Sequence, residues 1–287
     1  MTAKTFVRRV PSARAGLWAA KAPALTRLDI ELTERCGNDC IHCSVNRPAG
    51  DAEARSREWP APRWKALLDE AAALGCLVVR FTGGEPLLRD DFAEIYLHAR
   101  RLGLRVMLFT NATLVSEGTA ALLARVPPLE AVEVSVYGMT EATGEAVTRV
   151  RGSFAAARRG LGRLLDAGVA VAVKGAVLPP TRGEVEAFEA WASGLPGQSG
   201  PPPLVTLLDL RSRRDGAKSA AIAAMRPDAE AFVRLARRRG DAVVAEWREF
   251  TARSGGPPGG RLFTCHGPGG AAAVDPYGRR PLCLGLR

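Results

Sequence analysis

Six apolar stretches separated by helical patterning constrain this chain more than any other feature. They are "LDIELT" (28–33), "LVVRFT" (77–82), "LRVMLFT" (104–110), "AVEVSV" (131–136), "VAVAVKGAV" (169–177) and "PLVTLLDL" (203–210). Their apolar character is nearly continuous, which predicts strands buried on both faces of a parallel sheet. Between them the spacing predicts helices over roughly 90–102, 116–125, 153–167 and 183–193, and another near 226–240. A further helix follows "WPAP", where Trp64, Leu67, Leu68 and Ala71 share one face. Pro60 and Pro62 mark its entry and Gly75 its stop. Strand–helix alternation repeated six times predicts an α/β fold. Six units are too few for an eight-fold barrel and predict an open, incomplete (βα)6 barrel with parallel strands.

The 287 residues, 47% of them apolar, suffice for one sizeable core plus an appendage. "TARSGGPPGGR" (251–261) is the best linker. The expected division is an N-terminal leader segment (1–25), the partial-barrel domain (26–250) and a C-terminal segment (251–287). The net charge of +10 raises the question of an anionic partner. The arginines are scattered, however, and the clusters "RSRRD" and "RRR" do not alternate with aromatics, so a solvated surface is expected rather than nucleic-acid binding. No apolar run near the start reaches the ~18 residues of a membrane span, and no signal core precedes the first strand. A cytoplasmic, thiol-reducing location with no membrane partner is expected. There, clustered cysteines point to metal rather than disulfides.

Cys36, Cys40 and Cys43 fall within eight residues, directly after the first strand. In barrel-like α/β folds this is the face where chemistry is done. Three thiolates could hold one corner each of a four-iron cluster and leave the fourth iron open. They could instead bind zinc with His42 as fourth ligand, although neighbours on one short loop rarely close a tetrahedron. Inert buried cysteines would be out of place in so polar a loop. A second signal, "FTGGEP" (81–86), follows the second strand. Gly83 and Gly84 permit a sharp turn and close backbone approach, and Glu85 offers a carboxylate suited to an ammonium group. The same residues also suit an ordinary strand–helix turn.

Taken together and in this order, the three-cysteine loop and the Gly-Gly-Glu-Pro turn resemble the radical S-adenosylmethionine (radical SAM) enzymes, from about Leu28 to the sixth strand. The resemblance implies a 4Fe–4S cluster on Cys36, Cys40 and Cys43, with SAM chelating the fourth iron through its amine and carboxylate. Reductive cleavage of SAM would then give methionine and a 5′-deoxyadenosyl radical that takes hydrogen from the substrate. It further implies that Gly83, Gly84 and above all Glu85 contact the SAM amino group. Asn111 in "FTNAT" would face the cavity. Ser135 in "EVSVYG" would help hold the SAM carboxylate or ribose, and Arg149 the carboxylate. Tyr137 stands where many members carry Asp. His42 matches the residue near the adenine. In the fifth strand, alternation places Lys174 with Ala170 and Ala172 on one face, so its ammonium could reach SAM or substrate or simply water. Cys76 reads as a small buried apolar residue.

"CHGPGGAAAVDPYGRRPLC" (265–283) reads as strand, turn, strand, with Pro276 and Gly278 at the turn. This β-hairpin would bring Cys265 and Cys283 together, where they could share a metal site. It resembles the first half of the SPASM extension of peptide-modifying radical SAM enzymes, which carries auxiliary iron–sulfur clusters. The chain reaches Arg287 without the further cysteines, so a truncated or reduced extension is expected over a working auxiliary cluster, for which Cys265 and Cys283 remain the candidate ligands. The resemblance implies an enzyme that modifies a peptide or small protein and draws electrons from a one-electron donor such as a flavodoxin or ferredoxin. Two alternatives stand beside it. One is the same chemistry on a cofactor precursor or other small molecule; the other is a non-catalytic zinc or nucleic-acid-binding protein.

Overall fold

The structure is a computed structural model that describes residues 25–45, 47–197, 202–205, 212, 214–238, 240, 245, 248 and 270–281. The strands of its main sheet are β1 (Arg27–Thr33), β2 (Val78–Gly83), β3 (Arg105–Thr110), β4 (Leu129–Ser135), β5 (Val171–Ala176), β6 (Leu204–Val205) and β7 (Ala271–Val274), and a short separate pairing joins Arg35–Cys36 to Arg47–Pro48. The main sheet has the order β6-β5-β4-β3-β2-β1-β7, with every pairing parallel. The helices are α1 (Ala52–Arg57), α2 (Ala61–Ala73), α3 (Phe92–Arg101), α4 (Glu117–Arg125), α5 (Glu141–Thr148), α6 (Ser153–Asp166), α7 (Val185–Ser193), α8 (Gly216–Ala224) and α9 (Ala229–Arg238). Among the described residues none is long and apolar enough to cross a membrane.

Six strands lie where the apolar runs predict them, and the parallel α/β architecture follows. The two faces differ in chemistry, although in β1 both are buried. In β1, Leu28, Ile30 and Leu32 are buried in the apolar core, whereas Asp29, Glu31 and Thr33 alternate with them. The pattern repeats as Val79 and Phe81 against Arg80 and Thr82, and as Val132 and Val134 against Glu133 and Ser135. Trp64 and Leu68 of α2, Ile95 of α3, Leu123 of α4, Leu164 of α6 and Phe188 of α7 cover the apolar face. The opposite face carries polar side chains because it lines a chamber rather than a second helix layer.

Local chemistry explains the helix boundaries. Pro60 caps α2, and Gly75 ends it in the left-handed region (φ 89°). Thr140 and Thr143 form a reciprocal capping box at α5. This helix, α1 and α8 escape the sequence reading, since each is short and carries little periodic apolar signal.

The C-terminal segment differs from the expected hairpin. Its described part adds one parallel strand, β7, to the open edge of β1, with Arg27 opposite Ala271 and Ile30 opposite Val274. A turn follows, in which Gly278 N donates to Asp275 O (3.0 Å) and Asp275 N to Arg279 O (3.0 Å). Pairing the exposed backbone of β1 satisfies an edge that a free-standing hairpin would leave open. Cys265, Cys283 and residues 1–24 lie outside the described residues.

Candidate active site

The chain leaving β1 is held by a buried ionic network before it reaches the cysteines. Glu58 accepts two hydrogen bonds from the Arg35 guanidinium (2.9 and 3.1 Å) and one from Arg89 (3.3 Å), all three side chains being nearly inaccessible. Arg89 also donates to Leu32 O (3.0 Å) and forms a pair with Asp91 (2.7 Å). Such a network holds its geometry because every buried charge has a partner.

The cysteine loop then leans on α5. Asp39 N donates to Thr148 O (2.9 Å) and Ile41 N to Val147 O (2.9 Å), which satisfies carbonyls left over at the helix C-terminus. Arg149, in the left-handed region (φ 56°), donates from Nε to Asp39 O (2.8 Å) and pairs with the Asp39 carboxylate (2.5 Å). Arg149 therefore clamps the loop and is not among the residues that line the chamber.

The Gly-Gly turn crosses this same chain. Gly84 N donates to Thr33 O (2.6 Å) and Glu85 N to Arg35 O (2.8 Å). A Cβ on Gly83 would lie 2.1 Å from Thr33 O, and one on Gly84 2.1 Å from Arg35 O. Only glycine permits this crossing. Glu85 turns away from the chamber and is fully buried. Its carboxylate accepts from the Thr110 hydroxyl (2.7 Å), Asn111 N (2.8 Å) and Leu87 N (3.1 Å). Burial raises its pKa to about 7 despite those donors. An ammonium group in the chamber would meet the backbone of this turn, not the carboxylate.

A chamber of about 380 Å³ opens between the cysteine loop and the strand ends. Cys36, Cys40, Cys43 and His42 line it together with Gly83, Gly84, Asn111, Ser135 and Lys174. Nine of the eleven site residues expected within the described chain thus share one cavity, and Glu85 and Arg149 support it from behind. Burial, together with the negative charges of neighbouring groups, raises the Cys36 thiol to about 12 and Cys40 higher still. Three sulfur donors lining one chamber are a soft donor set that suits a sulfur-rich metal group. Among the described residues no three His, Cys, Asp or Glu side chains are gathered around a single point.

His42 is buried, and burial with the Lys218 and Lys174 charges lowers its pKa to about 4. The neutral ring meets Tyr137 edge-on at 4.9 Å, and Nδ1 has no hydrogen-bond partner. Lys174 pairs with Glu133 and sits 4.1 Å from the Phe109 ring centre. Arg80, paired with Asp29, approaches the same ring at 5.1 Å. Glu31, Asn38, Thr82, Phe109 and Tyr137 join the lining without having been singled out as site residues. Extending to the other strands the alternation applied to Lys174 would have found Glu31, Thr82 and Phe109.

Comparisons with known proteins complete the description. The family model of the radical SAM superfamily matches residues 30–192. Fe-coproporphyrin III synthase of Methanosarcina barkeri is 36% identical over 143 residues, covering 50% of this chain and 35% of its own length. PqqA peptide cyclase of Gluconobacter oxydans is 38% identical over 123 residues, covering 43% of this chain and 33% of its own. The matched part of the chain thus spans about a third of these curated relatives. Among solved structures, SuiB of Streptococcus suis bound to S-adenosylmethionine superposes with a TM-score of 0.59 at 16% identity, covering 94% of this chain and 63% of that one. The anSMEcpe structure with bound AdoMet and Cp18Cys peptide gives 0.59 at 17% identity, covering 92% and 75%. Both show the same fold.

Proposed function

The chain belongs to the radical SAM superfamily, and we propose that it reductively cleaves S-adenosylmethionine and modifies a peptide or small protein. Membership implies an iron–sulfur cluster and SAM. The observation that carries the site assignment is the convergence of Cys36, Cys40 and Cys43 on one chamber together with Gly83 and Gly84. Cys36, Cys40 and Cys43 would hold the iron–sulfur group as a 4Fe–4S cluster, which when bound would supply the electron for reductive cleavage of SAM.

The chain's own residues bind, orient and exclude water. The Gly83–Gly84 backbone receives the amino end of SAM, Ser135 its carboxylate or ribose, and His42 lies by the adenine. Lys174, held by Glu133 and Phe109, sits on the wall that receives the substrate. An external flavodoxin or ferredoxin supplies the electron in a thiol-reducing compartment such as the cytoplasm. Cys265 and Cys283 are candidates for an auxiliary cluster, and iron beyond four per chain would support that finer reading.

Likeness to a protein named PqqA peptide cyclase favours the peptide substrate. Likeness to one named Fe-coproporphyrin III synthase favours a second reading, a cofactor precursor. The test is anaerobic cluster reconstitution followed by incubation with SAM and reductant. 5′-Deoxyadenosine is expected from the parent chain and not from Cys40→Ala; equal amounts from both would falsify the assignment. Mass changes in candidate peptides, as against porphyrin precursors, separate the two substrates.

A further inference from the structure

We propose that Asn111 is a redox-tuning residue whose side-chain amide donates a hydrogen bond to the Cys36 sulfur and raises the reduction potential of the cluster bound there. The inference rests on the three-cysteine reading above and deepens it.

Asn111 Nδ2 lies 3.4 Å from Cys36 Sγ. The two ends of an amide are alike in shape, so its orientation has to be read from its partners. Here the other end decides. Asn111 Oδ1 accepts from Thr113 N (2.9 Å) and from the Thr113 hydroxyl (2.6 Å). A backbone N–H can only donate, so oxygen must face Thr113 and the NH₂ group must face the sulfur. The backbone is fixed as well, because Asn111 N donates to the buried Glu85 carboxylate (2.8 Å). The donor is thus aimed before any guest enters the chamber. Asn38 N supplies a second donor to the same sulfur at 3.4 Å.

Reduction adds one negative charge to a cluster, and part of it resides on the ligating sulfurs. An N–H donor stabilises the more negative state more strongly, and hydrogen bonds to the sulfurs are one of the levers that set cluster potentials. Removing the donor must therefore lower the potential. A residue that merely shaped the cavity or contacted SAM would leave the potential of the SAM-free protein unchanged.

The experiment is a potentiometric titration of the full chain, reconstituted anaerobically and free of SAM, with the reduced cluster followed by electron paramagnetic resonance. Asn111→Leu removes the donor at similar volume, and Asn111→Ala removes it with less bulk; neither adds a charge. Both are expected to retain the parent's iron and sulfide and to titrate at a more negative potential. At the parent's midpoint the ratio of reduced to oxidised cluster should fall roughly fivefold or more, the factor that one hydrogen bond of ordinary net strength represents. Where the Leu variant does not hold iron, the Ala variant decides. An unchanged midpoint in a fully loaded variant overturns the proposal. Loss of the cluster from both variants also overturns it, because Asn111 would then be a structural prop. A parent chain that takes up no iron and sulfide sinks the functional reading instead.

Discussion

Glu85 is a motif residue whose carboxylate is held by protein donors behind the turn. Its place after Gly83 and Gly84 is legible in the sequence, but the direction of its side chain is not. Period-two alternation stops where the strand ends, and the turn carries the carboxylate inward to Thr110, Asn111 and Leu87. The energetic consequence has a definite sign. The pKa rises from 4.5 to about 7 on folding, so between those values the folded chain keeps a proton that the unfolded chain has released. Stability therefore falls as pH rises across that window, by about 3 kcal/mol in full, and Glu85 contributes no slope above it. Glu85→Gln should flatten the pH dependence of the urea midpoint between about pH 5 and pH 8; an unaltered slope would show that the carboxylate titrates normally. Lys174 was legible because it breaks an apolar strand, whereas its partners Glu133 and Phe109 sit one and two strands away and emerge only from the register. Lys174→Met keeps the length and removes the charge. It should leave 5′-deoxyadenosine formation within about twofold of the parent while lowering substrate conversion at least about tenfold, since an unpaired Glu133 would then face the guest. Equal loss of both products would assign Lys174 to SAM.

At the scale of elements, strands β1 to β6 were legible and their inner faces were not. Long apolar runs announce a buried parallel sheet, but Asp29, Arg80 and Glu133 each sit singly between hydrophobic neighbours and read as interruptions. Only side-by-side pairing turns those interruptions into a continuous wall. The contacts between elements are equally invisible to local spacing. Gly160 of α6 shows this: a Cβ there would lie 1.9 Å from Ala112 O at the end of β3. Gly160→Ala should push helix and strand apart and cost about 1–3 kcal/mol, even though alanine is the better helix former. Thermal or urea unfolding checks this, and a stabilised variant would show that α6 can shift freely. Glu58 marks the other joint. Removing it as Glu58→Ala leaves Arg35 buried without its carboxylate and Arg89 with Asp91 alone, an expected loss of about 3–5 kcal/mol read by urea denaturation. A loss below 1 kcal/mol would mean that water reaches both guanidinium groups.

Across the whole molecule, the C-terminal strand is tied to the start of the barrel. Trp59 N donates to Pro276 O (2.8 Å), and the Tyr277 hydroxyl donates to Glu34 (2.8 Å), two residues before Cys36. Gly278 occupies the left-handed region (φ 82°), and a Cβ there would lie 2.0 Å from the Trp59 ring. Gly278→Ala should unseat the turn and loosen β7, so that backbone amides of residues 27–30 exchange with deuterium faster while those of β3 and β4 do not. Uniform exchange across the sheet would show that β7 merely follows global unfolding. The sequence announces a turn at Pro276 and Gly278 but not its seat, which lies more than two hundred residues away along the chain. The division of labour along each strand has a wider consequence. Odd and even positions answer to different pressures, one set to the scaffold and the other to the guest. Mutational drift at the inner positions can therefore retool such a protein for new chemistry while the outer positions keep it folded.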